Sequence, residues 1–208
     1  AGAAGRRALL ADPEVRTVLV LGLGVFFVGH GLGGWMPEAL REHSGFSAMA
    51  AANWAALGGL VGVVASLVVP RRTEPSRMPV ALTAMFLLIA FALVALLVLP
   101  TALDPIPVAV AGLRSALVPL ILIGLMESGS VTPANTGVAY GLWFAVAEIG
   151  GFAGPFVLGA VADSSAGFAG AFGLVAVVCV LLLVPTAQLR RHISGDTAPG
   201  DRHAGGPE

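Results

Sequence analysis

Six long apolar runs, separated by short polar or charged segments, dominate the pattern of this sequence. A helix needs about 20 mostly apolar residues to cross a hydrocarbon core of roughly 30 Å, and each run is close to that length. The runs lack the alternating polarity, in segments of about 10 residues, that marks transmembrane strands. The pattern predicts six transmembrane helices, at residues 17–35, 47–69, 78–99, 108–126, 137–161 and 167–189.

The two ends of the chain are polar. Residues 1–16 carry arginines and predict a cytoplasmic lead-in or linker before a half-domain at 17–189, while 190–208, rich in Gly, Pro and polar residues, predict a disordered cytoplasmic tail. The chain begins at Ala1 without a methionine and shows no signal-peptide pattern. We therefore expect a fragment of a longer protein, although a processed or trimmed chain would look the same.

Composition agrees with an all-α integral membrane protein. Hydrophobic residues make up 57% and charged residues 11% of the 208 residues, whereas a soluble domain carries roughly 25% charged residues. Mean hydropathy is +0.91. With a formal net charge of −1, the chain has no basic surface for nucleic acid, so we expect no nucleic-acid partner.

The arginines predict the orientation of the chain, because cytoplasmic loops carry an excess of basic residues. Nine of them fall on one side of the six predicted helices, one on the other and one inside a helix. We therefore expect both termini to be cytoplasmic and the protein to lie in the plasma membrane. The nine are Arg6, Arg7, Arg16, Arg71, Arg72, Arg77, Arg190, Arg191 and Arg202; Arg41 is outside and Arg114 is within the fourth helix.

Two ionisable residues lie deep in predicted helices. A central arginine such as Arg114 costs about 2.5–3.5 kcal/mol on insertion scales, so it must face protein or water. We interpret it as an anion-binding or gating charge, with an ion pair or snorkelling as the alternative. Glu148 lies at the centre of the fifth helix, on one face with Tyr140. It is a candidate proton-coupling group, or the partner of Arg114 in a structural ion pair.

Four further residues are candidate substrate contacts. His30 lies in the outer half of the first helix, at a depth similar to that of Arg114. Asn53 and Trp54, early in the second helix, offer a hydrogen-bond donor and a stacking surface, although Trp54 would also suit the interfacial aromatic belt. Tyr140 joins this substrate-binding set as the chain's one tyrosine. We predict no metal ligand and no cofactor.

Glycine-rich stretches indicate close helix packing, since small residues let helix backbones approach in a membrane. Gly58 and Gly62 form one pair at a spacing of four, and Gly150 and Gly154 form another. The stretch Gly150-Gly151-Phe152-Ala153-Gly154-Pro155 is further expected to weaken or kink the fifth helix in mid-membrane.

Three stretches resemble the C-terminal half of a major facilitator superfamily (MFS) transporter, most closely the cyanate/nitroimidazole-type permeases. They are His30–Pro37, Gly58–Pro70 with the following Arg71-Arg72, and Gly141–Asp163. One departure is the loop that reads Pro70-Arg71-Arg72-Thr73-Glu74, which lacks the aspartate usual in the superfamily.

The resemblance implies a fold and a function. The six helices would be helices seven to twelve of a twelve-helix transporter, forming one half-bundle. Helices one and four would line the central cavity, two and five would flank it, and three and six would face lipid. The function implied is secondary transport of a small solute, an anion among the candidates, by alternating access. The partners would be the bilayer, the substrate and the missing N-terminal half.

Two other function classes compete with transport. A six-span intramembrane serine protease would need a nucleophile such as Ser128 or Ser130 beside a histidine, and His192 falls in the predicted tail. A non-transporting membrane scaffold is the other alternative. We expect no enzyme activity.

Overall fold

Helices make up almost all of the chain in the computed structural model, which describes the backbone of residues 3–195 and the side chains of residues 5–192. Over that range there is no strand, and three short 3-10 helices lie at Pro75–Arg77, Thr101–Leu103 and Gly112–Ala116. The α-helices are α1 (Ala3–Ala11), α2 (Pro13–Glu42), α3 (Ala48–Arg72), α4 (Met78–Val98), α5 (Pro105–Ala111), α6 (Leu117–Glu127), α7 (Thr136–Ala162), α8 (Gly167–Leu181) and α9 (Leu183–Gly195).

Six helical segments of the described chain are long and apolar enough to cross a membrane, which confirms the prediction of an all-helical chain with six long apolar helices and is compatible with an integral membrane protein. Each overlaps one of the predicted runs. We number them spans 1 to 6: Pro13–Glu42, Ala48–Arg72, Pro75–Val98, Pro105–Glu127, Thr136–Ala162 and Gly167–His192.

The two ends of the chain are more helical than the sequence pattern indicated. Within the predicted lead-in, α1 is an Ala- and Leu-rich helix whose Leu9 is buried in the core, because alanine, leucine and arginine are strong helix formers. At the other end α9 continues beyond the predicted boundary at 189 and includes His192. The rest of the predicted disordered tail, residues 196–208, lies outside the described residues.

Local signals set where the first spans begin and end. Asp12 caps α2, its carboxylate accepting the N–H groups of Glu14 at 2.7 Å and Val15 at 3.3 Å. Burial raises the pKa of Asp12, but the Ser130 hydroxyl, these two N–H groups and His192 outweigh burial and hold it below its ordinary 3.8. At the far end of span 1 the turn into α3 needs Gly45, whose φ of 72° is in the left-handed region.

Span 1 lies at the centre of the bundle. In its most apolar stretch 67% of the residues are buried, compared with 17% in span 2. Span 2 is therefore an outer helix that leaves most of its surface uncovered in this chain.

Span 5 packs closely against span 1. A Cβ atom on Gly150 would overlap the Leu23 carbonyl, and one on Gly154 would overlap the Phe27 carbonyl. The predicted break does not occur, because α7 is continuous from Thr136 to Ala162 despite Pro155. These glycines let the two helices touch backbone to backbone.

The interruption occurs instead in span 4. Between α5 and α6 the chain tightens into the 3-10 helix Gly112–Ala116. The predicted pair Gly58 and Gly62 packs against this part of span 4. A Cβ on Gly58 would lie 2.9 Å from the Val108 carbonyl oxygen, and one on Gly62 would lie 2.8 Å from that of Gly112. Arg114 projects from this irregular turn, and a mid-helix 3-10 stretch often marks a functional region.

Candidate functional site

A cavity of about 610 Å³ lies between spans 1, 4 and 5. Its wall is mostly apolar, with one charged residue, one imidazole and one hydroxyl among the side chains. This size and this lining are typical of a site for a small molecule. The lining residues are Val25, Phe26, Gly29, His30, Gly33, Gly34, Arg114, Ser115, Val118 and Pro155.

Three glycines of span 1 create the space for this cavity. A Cβ on Gly29 would meet nothing within 4 Å, and one on Gly33 would lie 3.7 Å from Nη2 of Arg114. By contrast, Gly22 serves packing, because a Cβ there would lie 2.6 Å from Nε1 of Trp143. Glycines with two different roles therefore alternate along one helix, a distinction that the sequence pattern does not show.

Arg114 carries the positive charge of the cavity. Its side chain is partly buried, and one guanidinium nitrogen donates to the Ala111 carbonyl at 3.1 Å. The ion pairs among the described residues join Arg41 to Glu38 and Arg77 to Glu74, so the ion pair between Arg114 and Glu148 considered above is not formed. The remaining N–H groups of the guanidinium are thus available to a ligand or water.

His30 brings an imidazole to the same cavity. Its Nδ1 lies 3.2 Å from the Phe26 carbonyl, and since a carbonyl oxygen only accepts, Nδ1 is the protonated nitrogen. Nε2 is then free to accept a proton or a hydrogen bond. The Phe26 ring lies 5.0 Å from the imidazole and 5.4 Å from Trp143 in span 5, so an aromatic cluster supports one side of the site.

Glu148 lies in the same region as His30, and it forms an ion pair with neither His30 nor Arg114. A Cβ atom placed on Gly151 would lie 3.1 Å from Oε2 of Glu148 and 3.2 Å from Nδ1 of His30. Glu148 is exposed, although it does not line the cavity itself. A carboxylate and an imidazole therefore share one small region at mid-span, at the edge of the cavity.

Spans 1 and 5 are also joined near the rim of the cavity. Nε1 of Trp35 donates to the Pro155 carbonyl at 2.7 Å, and a Cβ on Gly34 would lie 4.0 Å from the Pro155 ring. The bond fixes the wall that Pro155 contributes.

Three predicted contacts do not line this cavity. Asn53 and Trp54 lie near the start of α3, and Tyr140 lies near the start of α7. The depth of each along its span differs from that of Arg114. Ser115 does line the cavity and is exposed there; only its place beside Arg114 in the sequence could have indicated it.

The serines considered as nucleophiles bond to other groups. The Ser128 and Ser130 hydroxyls are 3.2 Å apart, and Ser130 also bonds to Asp12. His192 is in helix α9, not in an irregular tail as expected, and its charge acts on Asp12. Among the described residues no hydrogen bond joins either serine to a histidine, so a base is missing from this arrangement.

Comparison with protein-family models gives no match, and comparison with curated proteins gives none either. The assignment of this cavity as the functional site therefore rests on its own geometry and chemistry.

Proposed function

We propose that this chain is one six-helix half of an MFS-type secondary transporter, similar to the cyanate/nitroimidazole-type permeases, and that it carries a small anionic solute across the plasma membrane. The cavity around Arg114 and His30 is the half-site for that solute. The N-terminal half would close the other side of the cavity, and rocking of the two halves would expose the site to each side of the membrane in turn.

The observation that carries the proposal is Arg114, a guanidinium at mid-span depth that faces a cavity and has no acidic partner among the described residues. A charge at this depth is costly unless it meets water, protein or a ligand of opposite charge. The planar fork of N–H donors suits a carboxylate or a similar planar anion. Substrate binding would supply the negative charge that the chain itself does not place there.

The position of the cavity supports a transporter half. Spans 1 and 4 contribute nine of its ten lining residues, and these are the spans that the sequence resemblance assigns to the central cavity. Apolar rings on span 5 remain uncovered, with Phe152 79% and Phe156 71% exposed. Span 2 is similarly open. These surfaces are suited to lipid or to a second half-bundle.

Proton coupling would use the neighbouring pair of His30 and Glu148. With Nδ1 bonded to the Phe26 carbonyl, Nε2 of His30 is the atom that would take up a proton. A carboxylate in the same region would favour the resulting imidazolium, and Glu148 would itself be a proton carrier at this depth. Transport driven only by the substrate's own gradient is the alternative, and it would need neither residue.

The test is uptake by the complete transporter in cells, with protein level and membrane insertion measured in parallel. Arg114→Ala should abolish uptake while the protein remains inserted. Arg114→Lys should recover little, because an ammonium does not reproduce bidentate binding. Arg41→Ala is the matched control, since it removes an exposed arginine in the last turn of α2 and should leave uptake unchanged. Uptake by Arg114→Ala at the wild-type rate would show that the anion site lies elsewhere.

A second candidate function, serine proteolysis, is not proposed. The Ser130–Asp12 contact leaves the hydroxyl next to a carboxylate, which is a much weaker base than the histidine that would activate a serine. No geometric feature favours a scaffold over a transporter.

A further inference from the structure

A second cavity, of about 600 Å³, lies at the end of the bundle where span 1 begins and span 6 ends. It is formed by the first turns of α2 and by α9. These first turns lie several helical turns before His30 on span 1. The second cavity shares no lining residue with the first cavity. The two sites are therefore separate.

Basic side chains mark the mouth of this cavity. Arg16 comes from α2, and Arg191 and His192 come from α9. The two arginines take part in none of the ion pairs formed among the described residues. Gln188 and Thr17 add polar groups to the same wall.

The acidic groups near this mouth belong to the start of α2. The carboxylate of Asp12 accepts the N–H groups of Glu14 and Val15 and so caps the helix. It also interacts with His192. Within the described part of the chain, Asp12 thus serves as a helix cap and forms no ion pair with Arg16 or Arg191.

The deeper wall of the cavity is apolar and faces outward. It is formed by Val20, Val184 and Pro185, and Val20 and Val184 are 54% and 59% exposed on the lateral surface of the bundle. A charged mouth that continues into an apolar groove matches a phospholipid, with its headgroup at the membrane surface and its chain along the helix. Free phosphate would use the arginines but would gain nothing from the groove.

We propose that the cavity between Arg16 and Arg191 binds the phosphate group of an anionic phospholipid in the inner leaflet. Each guanidinium offers two parallel N–H donors to phosphate oxygens, and His192 adds a further donor when it is protonated. The acyl chain lies against Val20 and Val184. The bound lipid links the first span to the last, because the residues that bind it lie in α2 and α9.

Native mass spectrometry of the purified chain in detergent tests this proposal, with phosphatidylglycerol and phosphatidylcholine as the added lipids. The wild type should retain phosphatidylglycerol in preference to phosphatidylcholine. Arg16→Gln/Arg191→Gln should lower the affinity for phosphatidylglycerol by roughly 30-fold, on the basis of the attraction of an anionic lipid surface for each arginine. Arg71→Gln/Arg72→Gln removes the same charge from the same end of the bundle, outside the cavity, and should leave the affinity unchanged.

A second variant and a second ligand separate the alternatives. Val184→Trp fills the apolar groove but keeps both arginines, so it should weaken phosphatidylglycerol binding even if the double variant fails to fold. Inorganic phosphate should not raise the unfolding temperature of the wild type. If it does so through the same arginines, while the two lipids bind equally, the source is soluble phosphate and the lipid assignment is overturned. Equal loss of binding in the Arg71/Arg72 control would also overturn the proposal.

Discussion

Arg114 places a charge near the middle of an apolar span, and the cavity beside it leaves room for water or a ligand. The guanidinium is opposite Gly33, so the absence of a side chain on span 1 leaves it room. The 3-10 segment around it also brings the Ala111 carbonyl within 3.1 Å. One residue thus depends on a backbone irregularity in its own span and on a glycine in another.

A single substitution at Glu148 distinguishes proton coupling from transport that is driven by the substrate's own gradient. In the complete transporter, Glu148→Gln should mimic a permanently protonated carboxyl beside His30. Accumulation against a gradient should then be lost while substrate exchange survives, because exchange requires no net release of protons. Both assays should be run side by side on the same membranes.

Glu127→Gln is the control for this substitution, since Glu127 is an exposed carboxyl at the end of span 4. It should change neither exchange nor accumulation. Normal accumulation by Glu148→Gln would exclude the coupling role and leave the substrate gradient as the driving force.

At the scale of elements, the contact between spans 1 and 5 rests on glycine. Gly150→Ala and Gly154→Ala would each drive a Cβ into a backbone carbonyl of span 1, and backbone atoms cannot rotate away. We expect each to lower the free energy of unfolding by about 1–3 kcal/mol, the usual cost of overpacking. Thermal unfolding in detergent measures this loss.

Gly141 provides the matched control for the same helix. A Cβ there would meet nothing within 4 Å, so Gly141→Ala should be neutral or should stabilise α7 by about 0.5–1 kcal/mol through helix propensity. Equal destabilisation by all three substitutions would mean that the crossing of spans 1 and 5 does not depend on close backbone approach.

Span positions were predictable because the length of an apolar run is fixed by the membrane it must cross. The position of the irregular backbone could not be predicted. Gly150–Pro155 looked like a helix break, but tertiary packing against span 1 keeps α7 continuous. Span 4 lacks so dense a glycine run, yet it tightens at Gly112–Ala116 because span 2 approaches it there.

The candidate site likewise contains some residues that the sequence predicts and others that it does not. Arg114 and His30 could be predicted together because charge at depth and residue counts along two helices are readable from sequence. The contribution of Gly29, Gly33 and Gly34 could not, since it depends on which side of span 1 faces the cavity. Asn53 was predicted from its hydrogen-bonding chemistry and Tyr140 from the face that it shares with Glu148, and neither lines the cavity.

For the molecule as a whole, the arginine distribution predicts one orientation in the membrane. On a Cys179→Ser background, Glu74→Cys should react with an impermeant thiol reagent only from the cytoplasmic side. Glu42→Cys should react only from outside. Both positions are exposed, so accessibility within the protein does not limit the reaction. The reverse pattern would contradict the orientation and with it the assignment of the lipid cavity to the inner leaflet.

The central claim is that the cavity around Arg114 is open to water and attracts anions, and Ser115 offers a direct measurement of it. In the complete protein with Cys179→Ser, Ser115→Cys should react with a sulfonate-bearing methanethiosulfonate faster than with a trimethylammonium-bearing one. Adding Arg114→Ala should slow the anionic reagent by about 10-fold, the effect of a nearby charge worth roughly 1.4 kcal/mol in partly hydrated surroundings. Val63→Cys, on the uncovered surface of span 2, should show no dependence on Arg114. If Ser115→Cys is unreactive, or if both reagents react at the same rate whether or not Arg114 is present, the account of an anion site in this cavity is contradicted.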